Sequence, residues 1–559
     1  MTALWKAIKL GSGSAARQLL EAGVSREGVL VASLFLVFVA ITAPGISWGT
    51  PGFWHPDELV KIADRVLRGL TVFDTRNFDY PSLPKYVMYW LGRVVYALGY
   101  SRATFIESAR FLSVLLGGVV VSCAYLLARL SGGGVGAGLL AALLLVSASE
   151  MALNARFAHN DIYLACFTSL SVLAMLLYRR SLRPGREAAA RLWLYAAFLG
   201  VGLATSSKYN AISLLLAVVT VGLACEFPRW RKRPLHLVGM LLVGLALTGL
   251  GFVIGTPRAI LAPTFYLPRA LEALRHHAVY GVESRIGLVG QWQVFLLALG
   301  LPAFILATAG FVWAVYRAWG LRSEQDSLRR EAAWSNLILL VSILALDLPI
   351  LISYNYQPRF FLPAGVLLAV LSGLGMSDWL GLAGGRRWLR AGLLAACVLI
   401  ITFGFLRSAR IALLFLNDNR IAAGNYLAGL PTGARIEYTL YPPNLPEGRF
   451  KTFNYPLFIE KVEGVGASDK PYKFNQGEAG LEKRHPDFLV VDSFTYGRFD
   501  DPLICAGVQN ECDFFRRLIA GQTAYRLARS FEYQPPSWLP DAPANFLNPV
   551  ILVFQRAQP

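Results

Sequence analysis

Charge is what this sequence has least of. Charged residues are 16% of the 559, against 55% hydrophobic ones, and mean hydropathy is +0.48. A soluble chain carries about 25% charged residues, so there are too few here to coat a globule of this size. That excludes the about three or four soluble domains that the length alone would suggest. Long apolar blocks separated by short charged ones also exclude disorder and fibrous repeats. The sequence reads as a polytopic α-helical membrane protein. Acidic residues are scarcer than basic ones, 35 against 53, for a net charge of +18. The excess is uneven: up to residue 410 there are 38 Lys/Arg against 19 Asp/Glu, and from 411 on 15 against 16. A basic soluble domain would point to nucleic acid. Basic residues at the ends of apolar runs point to membrane topology and to membrane lipids as partners, with no nucleic acid. No cleavable signal is read in residues 1–26, which carry Lys6, Lys9, Arg17 and Arg26 but no short apolar run before small residues.

A span takes about 20 mostly apolar residues. Eleven are read, near 27–47, 108–128, 133–150, 160–178, 192–206, 210–226, 235–255, 291–316, 333–353, 360–377 and 389–406. The short connections 179–191, 229–233, 317–330 and 386–390 are all Arg-rich. With the N-terminus in the cytoplasm, all four fall on the cytoplasmic side, as the positive-inside rule requires. The expected organisation is a cytoplasmic N-terminus 1–26, a transmembrane domain 27–406 and an extracytoplasmic domain 407–559. The first outer loop, 48–107, is expected to hold two interfacial helices, one after Leu59 and one over Leu83–Leu98. The tail reads as a small α/β unit. A helix is expected over Asn419–Leu430 and strands over Arg435–Tyr441, Asp487–Ser493, Tyr525–Tyr533 and Val550–Gln555, with 442–480 as a long loop. Cys505 and Cys512 lie in this tail, where disulfides persist, and a bridge is favoured over two free thiols. Cys123, Cys166, Cys225 and Cys397 fall in or at the ends of spans and read as small packing residues.

The chemistry-bearing residues collect at the outer boundary. Asp57-Glu58 follow the first span, within Trp54-His55-Pro56-Asp57-Glu58. Two adjacent carboxylates there read either as the cap of the following helix or as a general base facing the membrane surface. Arg110 opens the second span, and Arg156 and Asp161 bracket the start of the fourth, with His159 and Asn160 between them. Lys208-Tyr209 separate the fifth and sixth spans, and Arg359 begins the tenth. Any one of these cations could simply snorkel to the interface. Together they ring an acidic pair with positive charge, an arrangement suited to a negatively charged lipid-linked substrate.

These residues resemble a known family. Asp57-Glu58 resembles the Asp-Glu motif of the protein O-mannosyltransferases. Ala109-Arg110-Phe111-Leu112 resembles their second-span pattern, and Arg156 followed five residues later by Asp161 resembles their Arg-x-x-x-x-Asp element. Lys208-Tyr209-Asn210 resembles their Lys-containing turn. Pro358-Arg359-Phe360-Phe361-Leu362-Pro363 looks like the late element of the bacterial relatives, which include the aminoarabinose transferases acting on lipid A. The ordered set covers roughly residues 27–380. The resemblance implies the GT-C fold, and transfer of a sugar from a polyprenyl-phosphate carrier to an acceptor hydroxyl on the extracytoplasmic face. The loop 256–290 is too short for the additional β-trefoil of the eukaryotic mannosyltransferases. That favours a prokaryotic enzyme of the cytoplasmic membrane, with a lipid, glycan or protein acceptor.

In that reading Asp57 is the base and Glu58 its partner at the acceptor. Arg110, Lys208 and Arg359 hold the donor phosphate, and Asp161 and Tyr209 position them or the sugar. His55, Arg156, His159 and Asn160 are expected as support. His55/Asp57 and His159/Asp161 form two His-x-Asp pairs that could hold Zn or Mn, but the resemblance implies metal-independent chemistry, and no cofactor is expected to be required. Two other readings remain: a flippase of lipid-linked sugars, and a non-catalytic homologue of the same fold.

Overall fold

The computed structural model describes residues 14–73, 78, 80–230, 234–279, 288–320, 326–351, 357–454, 477–502, 505 and 509–557. Among these, nine helices are long and apolar enough to cross a membrane, from Arg102–Leu130 to the long helical run that begins at Arg387. The helix Ser14–Thr42 and the short apolar helix Val135–Val146 lie over two further expected spans, 27–47 and 133–150. The chain is an integral membrane protein.

Several boundaries differ from the sequence reading, and two of the differences have a visible cause. The run 291–316 is two helices, Leu288–Leu299 and Leu301–Trp319. The break is Gly300, whose φ is +76° and whose missing Cβ would lie 2.8 Å from Arg407 Nη1. A helix end leaves carbonyls without partners, and here Arg407 supplies them, donating to Leu297 O at 2.5 Å and Ala298 O at 3.2 Å. This also explains the second difference. The last long helix runs from Arg387 to Leu416, ten residues beyond the expected end, because Arg407 and Arg410 find partners in the protein. Arg410 pairs with Asp541 at 3.0 Å.

Where they are described, the Arg-rich connections join helix ends remote from the first loop, as at Arg179. There Arg129 bonds Glu27 at 2.6 Å and Arg179 bonds Glu331 at 2.6 Å. The opposite end carries the first loop and the C-terminal domain. Two helices of that loop, Val60–Leu67 and Leu83–Ala97, are amphipathic. Val60, Ala63 and Met88 pack with Phe105, Ile106 and Ala109 of the helix Arg102–Leu130. The loop is thereby fixed against the mouth of the bundle.

The C-terminal domain is a five-stranded sheet. Its strands are β1 (Arg435–Tyr438), β2 (Lys451–Asn454), β3 (Phe488–Asp492), β4 (Tyr525–Phe531) and β5 (Ile551–Arg556). Their order is β2-β1-β3-β5-β4, with the first three parallel and the last two antiparallel to their neighbours. Side chains on a strand alternate between faces. Phe488 and Val490 of β3 pack with Ala423 and Leu427 on one face, while Leu489 and Val491 pack with Phe514, Phe515 and Leu518 on the other. That two-sided cover explains why β3 reads as an unbroken apolar run. Strand β2 falls inside the expected loop 442–480; its four residues, Lys-Thr-Phe-Asn, are too few to show a period. Cys505 and Cys512 are disulfide-bonded.

Candidate active site

The residues that meet stand at or beside the ends of regular helices. His159 is extended, with φ −124° and ψ 169°, and caps the helix Asn160–Ser181, so Asp161 falls in the first turn. Lys208 is extended at the end of the helix Glu187–Ser207. Gln357 is extended before the 3₁₀ turn Pro358–Phe361, which carries Arg359. Asp57 lies in the first loop just before the helix Val60–Leu67. Irregular backbone at the bundle end lets side chains point inward from four separate elements.

They meet in one ion network. Asp161, with its side chain only 1% exposed, accepts from Lys208 Nζ at 2.7 Å and pairs with His159 Nδ1 at 2.7 Å. Arg359 Nε lies 3.8 Å from the same carboxylate. The Nη2 of Arg359 donates to Asp57 Oδ2 at 2.9 Å, and the Asp57 side chain is 32% exposed. Two cations thus sit between two carboxylates, one carboxylate buried and one open. Phe360 lies under the cations, with Lys208 Nζ 4.1 Å from its ring centre. Burial pushes the Asp57 carboxyl up, but the Arg359 guanidinium bonded to it holds it well below the usual carboxylate range. His55 accepts the Asp57 N–H on Nδ1 at 3.1 Å. Burial holds His55 well below the ordinary histidine pKa, and it lowers His159 against the opposing pull of Asp161. The two imidazole rings are 5.9 Å apart. Among the described residues, no group of three or more His, Cys, Asp or Glu side chains is placed to hold a metal ion.

The remaining expected residues have other places. Glu58 and Arg110 are both 0% exposed and form a two-point pair at 2.7 and 2.8 Å. Glu58 also accepts the Ala158 N–H at 3.0 Å, while Arg110 donates to the carbonyls of Ile46 and Trp48. This pair ties the first loop to two helices; the geometry keeps Arg110 away from the Asp57–Arg359 cluster and leaves Glu58 no free oxygen toward it. Arg156 donates to Pro44 O at 2.9 Å and Ile41 O at 3.1 Å, so it caps the end of the helix Ser14–Thr42. Asn160 donates to Ser207 O at 3.1 Å, joining the two helix ends that carry Asp161 and Lys208. Tyr209 donates to Phe78 O at 3.2 Å and accepts from Tyr266 at 2.9 Å.

Other contributors went unread in the sequence. Tyr80 stacks edge-on against His159 at 5.3 Å, and Lys85, buried, donates to Tyr80 O at 2.9 Å. The C-terminal domain supplies Phe546, whose ring is 4.6 Å from that of His55, and Tyr441, 6.1 Å from Phe546. Burial raises the Tyr441 hydroxyl, and among the lesser causes is the charge of Asp57. No spacing signal links His55 to Tyr441 and Phe546, 386 and 491 positions away. Lys85 could have been found from its neighbours, being a lone cation after Pro84 on an otherwise apolar helix start.

The chain resembles known proteins in part of its sequence and in its fold. Residues 87–271 match the family model for dolichyl-phosphate-mannose-protein mannosyltransferase. That segment holds Arg110, Arg156, Asp161 and Lys208, while Asp57 and Arg359 lie outside it. ArnT from Cupriavidus metallidurans bound to undecaprenyl phosphate is similar in structure, with a TM-score of 0.53 at 17% identity, over 94% of this chain and 97% of that one. Its apo form gives 0.52 at 16%, over 95% and 98%. The archaeal oligosaccharyltransferase AglB from Archaeoglobus fulgidus, in complex with an inhibitory peptide and a dolichol-phosphate, is more distant, at 0.45 and 13%, over 92% and 75%. None of the curated proteins matches the chain by sequence. The architecture is the GT-C fold, nearly end to end.

Proposed function

We propose that this GT-C-fold membrane glycosyltransferase moves a sugar from a polyprenyl-phosphate carrier to an acceptor hydroxyl, by direct displacement with inversion. The observation that carries the reading is the Asp57–Arg359–Asp161–Lys208 network. It sets one open carboxylate beside two cations that a buried carboxylate holds in place. ArnT, of the same fold, binds undecaprenyl phosphate.

The leaving group is a phosphate monoester anion, which needs positive charge as the bond breaks more than it needs a proton. Arg359 and Lys208 supply that charge, Arg359 through its planar fork and Lys208 as a point charge. When the donor phosphate takes Arg359, Asp57 loses its ion-pair partner and is free to accept. The acceptor O–H proton passes to Asp57, the oxygen attacks the anomeric carbon, and the carbon–oxygen bond to phosphate breaks with its electron pair on the phosphate. General-base assistance of this kind contributes about 10²–10⁴-fold. The carrier's chain has an apolar groove of about 380 Å³ available, lined by Trp292, Phe295, Phe311, Leu344 and Leu368. Phe295 and Leu368 also line a small cavity that reaches Pro358 and Phe361, on either side of Arg359 and Phe360. Asp161 and Asn160 act by holding Lys208 and its helix end. Glu58 and Arg110 are scaffold in this reading, in place of the substrate roles the sequence suggested.

The site end faces the extracytoplasmic side of a prokaryotic cytoplasmic membrane in this proposal, with the N-terminus cytoplasmic. The Arg-rich connections at helix ends remote from the first loop support that orientation. A disulfide in the C-terminal domain fits an oxidising compartment. A flippase would place its charged groups near the membrane midplane, whereas this network lies at helix ends.

The test is release of polyprenyl phosphate in proteoliposomes, from a panel of polyprenyl-phosphate sugars with crude envelope as acceptor source. Wild type should release carrier with at least one donor, and Asp57→Asn should not. Equal release by both would remove Asp57 from the mechanism. Donor binding without release from any member of the panel would favour the flippase or the non-catalytic homologue.

A further inference from the structure

The first loop and the C-terminal domain enclose two adjoining clefts, of about 400 and 560 Å³. Each falls within the range of about 300–1,000 Å³ usual for ligand sites. Trp54, Asn444, Leu445, Pro446 and Glu447 line both. The wall is fastened by Asn444, which donates to Gly49 O at 3.0 Å and Thr50 O at 3.1 Å. The fastening depends on Gly52, where a Cβ would lie 2.3 Å from Asn444 Oδ1.

Two buried donors at these clefts have no acceptor among the described residues. One is Trp54 Nε1, on a residue 5% exposed; the other is Arg420 Nη1, on a fully buried residue. An indole N–H only donates, so it calls for an oxygen that none of the described residues supplies. The charge of Arg420 is already balanced by Asp418, 2.8 Å away. Apart from this neutralised pair, no cation among the described residues lines either cleft; Arg449, between the lining residues Gly448 and Phe450, donates instead to Leu430 O at 3.0 Å, and the exposed carboxylate Glu447 stands at the shared mouth. An anionic ligand is therefore disfavoured. Phe53, Tyr438 and Phe450, half-buried, line the smaller cleft with aromatic rings, those of Phe53 and Phe450 also meeting Arg102 at 4.8 Å and Arg449 at 5.5 Å, and Pro442, Pro443 and Pro446 offer carbonyls without N–H groups. Hydroxyls both donate and accept, and a pyranose alternates them with apolar C–H faces that rings can cover. His55 follows Trp54 directly and meets Phe546 of the C-terminal domain, so the clefts adjoin the Asp57 network.

We infer that the clefts between the first loop and the C-terminal domain seat the acceptor, and that the acceptor is a neutral glycan chain. The inference rests on the transferase reading above and names its acceptor class. Trp54 is the positioning residue, donating its N–H to a sugar oxygen at the junction of the two clefts. Glu447 accepts from hydroxyls at the mouth.

The experiment measures binding to the full-length protein in nanodiscs by calorimetry. The probes are a neutral hexasaccharide of hexoses, the same glycan carrying a phosphate, a Ser/Thr-rich decapeptide and undecaprenyl phosphate. Wild type should bind the neutral hexasaccharide best of the first three. Trp54→Phe keeps the ring and should weaken that binding about tenfold, the worth of one hydrogen bond. Glu447→Trp changes an exposed residue, leaves folding aside, fills the mouth and should abolish glycan binding. Undecaprenyl phosphate should bind wild type and both variants alike. Hexasaccharide binding unchanged in both variants would overturn the inference, as would preferred binding of the peptide or of the phosphorylated glycan. If undecaprenyl phosphate binds and the hexasaccharide does not, this inference fails alone. If undecaprenyl phosphate does not bind wild type, the transferase reading fails instead.

Discussion

Adjacent carboxylates should respond to the same substitution in opposite ways. Glu58→Gln and Asp57→Asn each remove one negative charge with almost no change of shape. Glu58 is fully buried and holds Arg110, also fully buried, through two bonds at 2.7 and 2.8 Å. Removing it leaves a buried guanidinium with only the carbonyls of Ile46 and Trp48. Breaking one side of a buried pair costs about 3–5 kcal/mol, a large part of the about 5–15 kcal/mol that holds a typical fold. Asp57 is 32% exposed, and its partner Arg359 keeps Asp161 at 3.8 Å. Arg359 is buried but keeps Asp161, and Asp57 is partly solvated, so losing this pair should cost about 1–2 kcal/mol, less than the loss at Glu58. The larger cost falls on the reaction. The about 10²–10⁴-fold of a general base corresponds to a barrier about 3–5 kcal/mol higher. The assay is thermal unfolding in nanodiscs beside carrier release per folded molecule. Asp57→Asn should unfold near wild type and release little carrier. Glu58→Gln should unfold early yet retain release per folded molecule at low temperature. A stable but inactive Glu58→Gln, or an unstable Asp57→Asn, would refute the assignment of scaffold and base.

Three further outcomes follow from the same geometry. Lys208→Met removes one charge-assisted contact and should weaken undecaprenyl phosphate binding about 10–100-fold, read by calorimetry, with Asp161 still held by His159. His55 and His159 are buried and kept neutral, with pKa values below ordinary. The unfolded chain takes up their protons from about pH 6.5 downward, so stability should fall as pH drops through that value toward the lower folded pKa values. His55→Asn keeps an acceptor for the Asp57 N–H and should reduce the fall in unfolding temperature between pH 7 and 5; an unchanged slope would exclude His55. Cys512→Ser opens a bridge spanning seven positions and should cost about 2–3 kcal/mol on the chain-entropy account. Hydrogen exchange should then rise in the helix Gln509–Ile519 while the membrane helices stay protected.

The Asp-Glu pair shows where reading the sequence reaches its limit. Its position after the first span and before an amphipathic helix is legible, because a span and a helical stripe each have a period. Which of the two carboxylates is open is not legible. That depends on Arg110 lying 52 positions away and on Arg359 some 300 positions away. Arg110, Arg156, Lys208 and Arg359 look alike in sequence, each a cation at a span end. Two of them turn out to satisfy carbonyls and a buried carboxylate, and two share Asp161. The break at Gly300 was hidden for a similar reason: the residues around it are uniformly apolar, and its partner Arg407 comes from a later helix. Phe546 and Tyr441 reach the site from a domain whose own fold is readable but whose docking is not.

The sequence by itself determined the membrane, the spans, the sided distribution of Arg, the two-sided strand β3 and the short list of ionisable residues at one boundary. These follow from local hydropathy and periodicity, which act over one helix or one strand. The tertiary structure alone decided which charges pair, which carboxylate stays open, and that the C-terminal domain closes over the first loop to form a cleft. Those are matters of a few ångströms between elements hundreds of residues apart, and ion pairing and packing at that range leave no period in a single chain.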